Sequence, residues 1–282
     1  MAPFMADPSP FSITFWGVRG SIPTPGLDTL VYGGETACME VRIDDKLIIV
    51  DCGSGARGLG NHMLELGDKH ADLLFTHTHL DHILGLPFFV PAFAAGMKVT
   101  LHAGHLGGDG KTLRCVLERV MSPPVFPVAI DVLKACSFRA FETGEVLSVA
   151  DGVNVDTIRL NHPDGATGYR FKSGGHTLCI ITDHEHGNEE IDAAVIEFVR
   201  DADVMVYDAT YTPEEYEHVI GWGHSTWTEC LKLAEVANVK KPVLFHHEPY
   251  RTDDDLDRIA AEIGRCHEGA IIAKQGLVLD IE

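Results

Sequence analysis

Five apolar segments in this chain each run straight into a histidine or an aspartate: FT leads to His77, RLN to His162, IIT to Asp183, MVY to Asp208 and LF to His246. Side chains at the ends of adjacent strands can converge on one edge of a sheet, where α/β proteins commonly place their sites. Segments of strand length occur at 11–17, 38–43, 46–51, 72–76, 153–160, 176–183, 203–208, 242–247 and 276–281. Helical periodicity falls between them, around 82–95, 110–120, 189–200, 226–237 and 253–266. Strands mixed with helices throughout predict a layered α/β fold with its sheets buried by helices. No linker, repeat or low-complexity tract divides the chain, so residues 1–282 are expected to form one domain.

The densest chemistry lies in FTHTHLDHILGLPFF (75–89), which holds His77, His79, Asp81 and His82. In an extended segment residues two apart point to the same side, so His77 and His79 can approach one ion together. Asp81 and His82 fall where the strand ends and a helical pattern begins, and can aim at a second ion. Imidazoles and carboxylates without thiolates suit Zn²⁺, Mn²⁺ or Fe²⁺. Sulfur ligation is not expected: the cysteines at 38, 52, 115, 136, 179, 230 and 266 are odd in number and form no CxxC. They read as buried free thiols of a reducing, cytoplasmic setting.

Charge narrows the partners. With 22 basic against 42 acidic residues the net charge is −20, and no basic run is present. Such a surface repels phosphate backbones, so no long nucleic acid is expected, while a small anionic substrate held by a local metal charge remains compatible. The start, MAPFMADPSPFSITFWG, has no basic segment followed by an apolar run, so no signal peptide is expected. No apolar stretch is long enough to span a bilayer, and no membrane partner is expected. A homodimer is left open.

The HxHxDH cluster, followed by a distant histidine, an aspartate and a final histidine, resembles the metallo-β-lactamase fold hydrolases. That resemblance implies a four-layer αββα sandwich. DCGSG (51–55) is similar to the family's Asp-Cys-Gly turn before the first helix. The resemblance also implies two divalent ions, zinc first, with manganese or iron as alternatives. His77, His79, His162 and Asp183 would hold one, and Asp81, His82, Asp183 and His246 the other, with Asp183 bridging. Asp81 carries a catalytic assignment as well. Water between the ions would lose a proton near neutral pH and become the nucleophile. His247 competes with its neighbour for the last position, and His184 and His186 compete around Asp183.

Two further stretches point to the ribonuclease Z and cyclic phosphodiesterase branch. GWGHSTWTECLKLAEVA (221–237) places His224 before a helix whose capping box is Thr226-x-x-Glu229. An imidazole beside the positive end of a helix is placed to meet an anion and protonate a leaving oxygen. ADVMVYDATYTPEE (202–215) resembles the segment preceding HST in that branch, which makes Asp208 the acidic partner of His224. FWGVRGSIPTPG (15–26) resembles its N-terminal loop; Arg19 and Ser225 are the expected substrate contacts. His79-Leu80-Asp81-His82 is similar to the class II cyclic-nucleotide phosphodiesterase signature, from which Pro87-Phe88-Phe89 departs. MSPPVFPV (121–128) either walls a small pocket or is a surface loop packed by Phe126.

The expected activity is hydrolysis of a small phosphodiester such as a cyclic nucleotide. Two other readings use the same residues: a lactone or β-lactam hydrolase on the same two ions, and a non-catalytic, metal-stabilised ligand-binding protein. His224 separates the first two, because an alkoxide leaving group on phosphorus needs an acid more than lactone opening does.

Overall fold

A computed structural model describes residues 11–107, 110–150 and 152–282. Residues 1–10, on which the signal-peptide expectation partly rests, lie outside the described residues. The chain runs β1 (Phe11–Gly17), β2 (Cys38–Ile43), β3 (Lys46–Val50), α1 (Ala56–Leu66), β4 (His70–Phe75), α2 (Leu80–Ile83), β5 (Lys98–Ala103), α3 (Gly110–Val120), β6 (Cys136–Ala140) and β7 (Val146–Val149). It continues through β8 (Val153–Leu160), β9 (Ala166–Ser173), β10 (His176–Ile181), α4 (Glu189–Val199), β11 (Val204–Asp208) and α5 (Pro213–Tyr216). Last come α6 (Trp227–Val236), β12 (Lys241–Phe245), α7 (Asp253–Cys266), β13 (Ile271–Ile272) and β14 (Val278–Asp280).

These strands form two seven-stranded sheets, ordered β14-β1-β2-β3-β4-β5-β6 and β13-β12-β11-β10-β9-β8-β7. Each is antiparallel on one side and parallel on the other; β3 to β6 and β10 to β13 are the parallel halves. Period-two alternation builds the layers. Ile13, Phe15, Val41, Ile48 and Val50 face the second sheet, whose Leu178, Ile180, Val206, Val243 and Phe245 face back. Phe15 meets Phe245 across the sheets with ring centroids 5.9 Å apart. The opposite faces are apolar too, so these strands read as continuous hydrophobic runs. Leu47, Ile49, Leu73 and Leu101 pack on Ala56, Leu59 and Met63 of α1 and Leu113 and Leu117 of α3. Cys179, Ile181, Met205 and Leu244 pack on Val195 and Val199 of α4, Cys230 and Leu233 of α6 and Ile263 of α7. The result is the four-layer αββα sandwich. No helix among the described residues is long and apolar enough to cross a membrane.

Topology positions the site. β8 and β10 are both antiparallel to β9, so β8 runs in the direction of β10, β11 and β12. The C-terminal ends of all four therefore lie on one edge of the second sheet, and each leads into one of the polar residues noted above.

Two local expectations are corrected, for 82–95 and for the cysteines. The periodicity over 82–95 is not one helix: α2 stops at Ile83, and 3₁₀ turns follow at Leu86–Phe88 and Val90–Ala92. Pro87 and Pro91 remove backbone donors there and cannot continue an α-helix. Helix α1 escapes the pattern because Gly58 and Gly60 dilute it. The cysteines are free, as expected, but Cys115 and Cys266 are exposed rather than buried. In the 121–128 segment, Phe126 is half-buried and packs edge-on against Phe88 at 5.9 Å, while Pro123, Pro124 and Val125 are exposed. That is the surface loop of the two readings.

Candidate metal centre

The loop after β4 delivers His77 and His79; the short helix α2 delivers Asp81 and His82; the loops after β8, β10, β11 and β12 deliver His162, Asp183, Asp208 and His246. Ligand atoms of His77, His79 and His162 lie within 4.8 Å of one another. So do those of Asp81, His82, Asp183 and His246, and those of Asp183, Asp208, His224 and His246. Asp183 Oδ2 is the common point. It stands 3.2 Å from His246 Nε2, 3.3 Å from His82 Nε2, 3.7 Å from His77 Nε2, 3.8 Å from His224 Nδ1 and 4.0 Å from His162 Nε2.

The outward nitrogen of most of these rings is already engaged, which fixes which nitrogen faces the cluster. His82 Nδ1 lies 2.9 Å from Asp51 Oδ2, and Asp51 also accepts the N–H and hydroxyl of Thr76. His77 Nδ1 meets the Thr76 hydroxyl at 3.1 Å, His246 Nδ1 the Thr210 hydroxyl at 3.1 Å, and His162 Nδ1 the Gly223 carbonyl at 2.8 Å. Asp81 Oδ2 accepts the Ser21 N–H at 2.7 Å. Two inner nitrogens, His77 Nε2 and His82 Nε2, are buried without a hydrogen-bond partner, while His162 Nε2 meets His79 Nδ1 at 3.0 Å and His246 Nε2 meets Asp81 Oδ2 at 3.3 Å. Buried, unpartnered imidazole nitrogens facing carboxylates are the donor set that a divalent cation takes. The residues present fit such a group.

Electrostatics agree with the geometry. Burial would raise the Asp183 carboxyl, but His246, His82 and His77 hold it well below the usual carboxylate range. Asp81 is likewise held down, against burial, by His82 and His246. Burial pushes His77 well below its ordinary value, with His82 adding to it. For His224, burial disfavours the cation, yet the Asp208 charge and hydrogen bond, then Asp183 and Asp81, raise it to about 9.

The doublet divides cleanly in space. His246 faces the cluster at a backbone φ of +63°, whereas His247 Nε2 points away to the Ala273 carbonyl at 2.7 Å. His184 and His186 also turn outward: Asn161 N–H donates to His184 Nδ1, and His186 Nδ1 pairs with the Ser225 hydroxyl. His224 sits 2.8 Å from Asp208 through Nδ1. Thr226 caps α6 by accepting the Glu229 N–H, but the Glu229 carboxylate turns to Lys232, leaving half of the capping box.

Arg19 and Ser225 stand apart from the other site residues. Arg19 is 0% exposed, and its guanidinium donates to the carbonyls of Gly33, Glu248 and Arg251. It ties the N-terminal loop to the loop after β12. Ser225 is also fully buried, its hydroxyl against His186 and Tyr207. Both side chains are buried in these contacts, with Arg19 Nη2 left without a hydrogen-bond partner. Sequence reasoning missed Asp51 as the partner of His82; its position in DCGSG, directly after a strand, was the available signal.

The beta-lactamase superfamily domain matches residues 46–247. Ribonuclease Z of Bradyrhizobium diazoefficiens is 24% identical over 309 residues, covering 90% of this chain and 95% of that protein. Among solved structures, the metallo-beta-lactamase fold protein YhfI from Bacillus subtilis superposes with a TM-score of 0.71 at 18% identity, over 95% of this chain and 98% of that one. A diphosphatase from the PhnP family gives a TM-score of 0.67 at 22% identity, over 96% and 98%.

Proposed function

The chain belongs to the beta-lactamase superfamily, and from that premise we propose that it is a metal-dependent phosphodiesterase acting through a dinuclear site. The observation that carries the reading is the His224–Asp208 pair, 2.8 Å apart, with the His224 ring set among the ligand rings, its centroid 4.7 Å from that of His246 and 5.3 Å from that of His162. A hydrolase that cleaves a P–O bond to an alkoxide needs a proton donor there.

In this account His77, His79, His162 and Asp183 hold one ion, and Asp81, His82, Asp183 and His246 the other. Ions bound there supply Lewis acidity and lower the pKa of water. The His-rich, thiolate-free donor set suits zinc first, and manganese or iron fit the same atoms. Asp51, Thr76, Thr210 and the Gly223 carbonyl orient the rings from outside. Asp208 anchors His224 at Nδ1, which leaves Nε2–H to donate. As a hydroxide oxygen bonds to phosphorus and the P–O bond to the leaving oxygen breaks, that proton passes to the leaving oxygen and His224 becomes neutral. The core shared by both sheets supports reading residues 1–282 as one domain.

The substrate we propose is a small phosphodiester, supported by the net charge of −20. The relative named Ribonuclease Z weighs against the expectation that long nucleic acid is excluded, and puts RNA on the other side of the test. Comparing kcat/KM for cyclic nucleotides, a dinucleotide and a long structured RNA decides. Higher kcat/KM for the small diesters upholds the proposal, and preference for the long RNA overturns it.

A further inference from the structure

Glu185 belongs to none of the three ligand clusters, yet it is buried, 7% exposed, and both of its carboxylate oxygens accept hydrogen bonds. Oε1 accepts the Gly221 N–H at 2.7 Å and the Tyr216 hydroxyl at 3.1 Å, and Oε2 accepts the Gly223 N–H at 2.7 Å. Its backbone is pinned as well: its N–H donates to the Asn161 carbonyl at 2.8 Å, and its carbonyl accepts the Asn161 side-chain amide at 2.8 Å. One residue thus joins the segment before His162, the loop after Asp183 and the turn that leads into His224.

That turn leaves little slack. Gly221 and Gly223 both sit at φ +91°, where L side chains are strained. A Cβ on Gly223 would lie 2.2 Å from His162 Nδ1. The Gly223 carbonyl accepts the hydrogen bond from that same nitrogen at 2.8 Å, which leaves His162 Nε2 as the atom facing the cluster. Moving Gly223 therefore tilts His162, and His224 is the next residue in the chain.

We propose that Glu185 is a positioning residue that sets, through Gly223, both the ring of His162 and the place of His224. The inference rests on the site reading given above. It has a chemical reason to need a carboxylate. Two backbone donors arrive at its two oxygens, and an amide in its place would point its own N–H groups at one of them.

The test compares wild type with Glu185→Gln, Glu185→Asp and Tyr216→Phe. The first readout is the zinc dissociation constant, from competition with a chromophoric chelator. The second is kcat on two diesters, one losing p-nitrophenolate and one losing an alkoxide. Glu185→Gln is expected to weaken zinc binding by about tenfold or more, the range for groups that orient metal ligands. It should lower kcat on the alkoxide diester at least about tenfold more than on the nitrophenyl diester, since only the poorer leaving group needs a well-placed acid. Glu185→Asp keeps both oxygens but is one methylene short, so it should fall between and serves if the Gln variant does not fold. Tyr216→Phe removes one of the three donors but leaves both glycine N–H bonds in place, so it should lose much less than Glu185→Gln on both readouts. Equal loss on both diesters with unchanged zinc affinity would reduce Glu185 to a merely structural role and overturn the proposal. If wild type cleaves neither diester, the phosphodiesterase reading fails, while the zinc measurement still decides whether Glu185 positions His162.

Discussion

Asp208 holds His224 at 2.8 Å through Nδ1 while accepting the backbone N–H groups of His184, Thr210 and Ser225 and the Thr210 hydroxyl at 2.8 Å. A carboxylate fixed by that many donors cannot follow a moving imidazole, so it fixes the imidazole instead. The pair forms one rigid edge of the ligand cluster.

His224→Ala should lower diester turnover at least about a hundredfold, the usual scale for losing a general acid. Metal content should stay unchanged, because His224 is assigned to protons and not to an ion. Steady-state kinetics paired with elemental analysis check both. Activity within a few-fold of wild type would remove His224 from the mechanism.

Asp208→Asn should change the pH profile in a defined direction. Burial lowers the His224 pKa and Asp208 is the largest influence raising it, to about 9. The acid form of His224 is the active one, so activity persists below its pKa and is lost as pH rises through it. Removing the charge lowers that pKa, and the alkaline limb of kcat should move down by about one unit or more, as expected for loss of an opposite charge in contact. An unmoved limb in a folded, metal-loaded variant would assign the alkaline limb to another group.

Asp51→Ala should strike both stability and metal binding. It strips the partner from the buried Thr76 N–H and leaves the buried His82 Nδ1 only the Thr76 hydroxyl at 3.4 Å. Each unsatisfied group costs about 1–3 kcal/mol, measurable by urea unfolding of the metal-free variant. With His82 free to turn, ion affinity should fall about tenfold to a hundredfold.

Asp51 marks the limit of what could be read from sequence. The convergence of His77, His79, Asp81 and His82 was legible because it is local, and that of His162, Asp183 and His246 because each ends an apolar strand. Asp51 also follows an apolar strand, but nothing in the sequence says which ring it meets. Asp51 meets His82 across 31 positions, and Glu185 meets Gly221 and Gly223 across 36 and 38. Spacing within one segment carries no information about such contacts. The burial of Arg19 was illegible for a related reason: its guanidinium donates to carbonyls of a loop more than two hundred residues away, which a motif in GVRGS does not show. Strand β9 went unread because Gly168, Arg170 and Lys172 interrupt its apolar face residues, Tyr169 and Phe171.

Removing metal should destabilise the fold. Without ions the buried His77 Nε2 lacks a hydrogen-bond partner, and the carboxylates of Asp81 and Asp183 both converge on His82 Nε2 at 3.3 Å. A ligand present at a hundred times its dissociation constant stabilises by about 2.7 kcal/mol. Thermal unfolding with and without chelator should show a clearly higher Tm for the zinc-loaded protein. Identical curves at proven occupancy would mean that these residues do not hold the ions.

The most direct test of the central claim is hydrolysis of bis(p-nitrophenyl) phosphate by chelator-stripped protein, titrated with Zn²⁺ or Mn²⁺ while bound metal is counted. The account predicts no turnover when stripped and full activity on approach to two ions per chain. Activity that survives stripping, or two bound ions with no cleavage of this or any other phosphodiester, would contradict it.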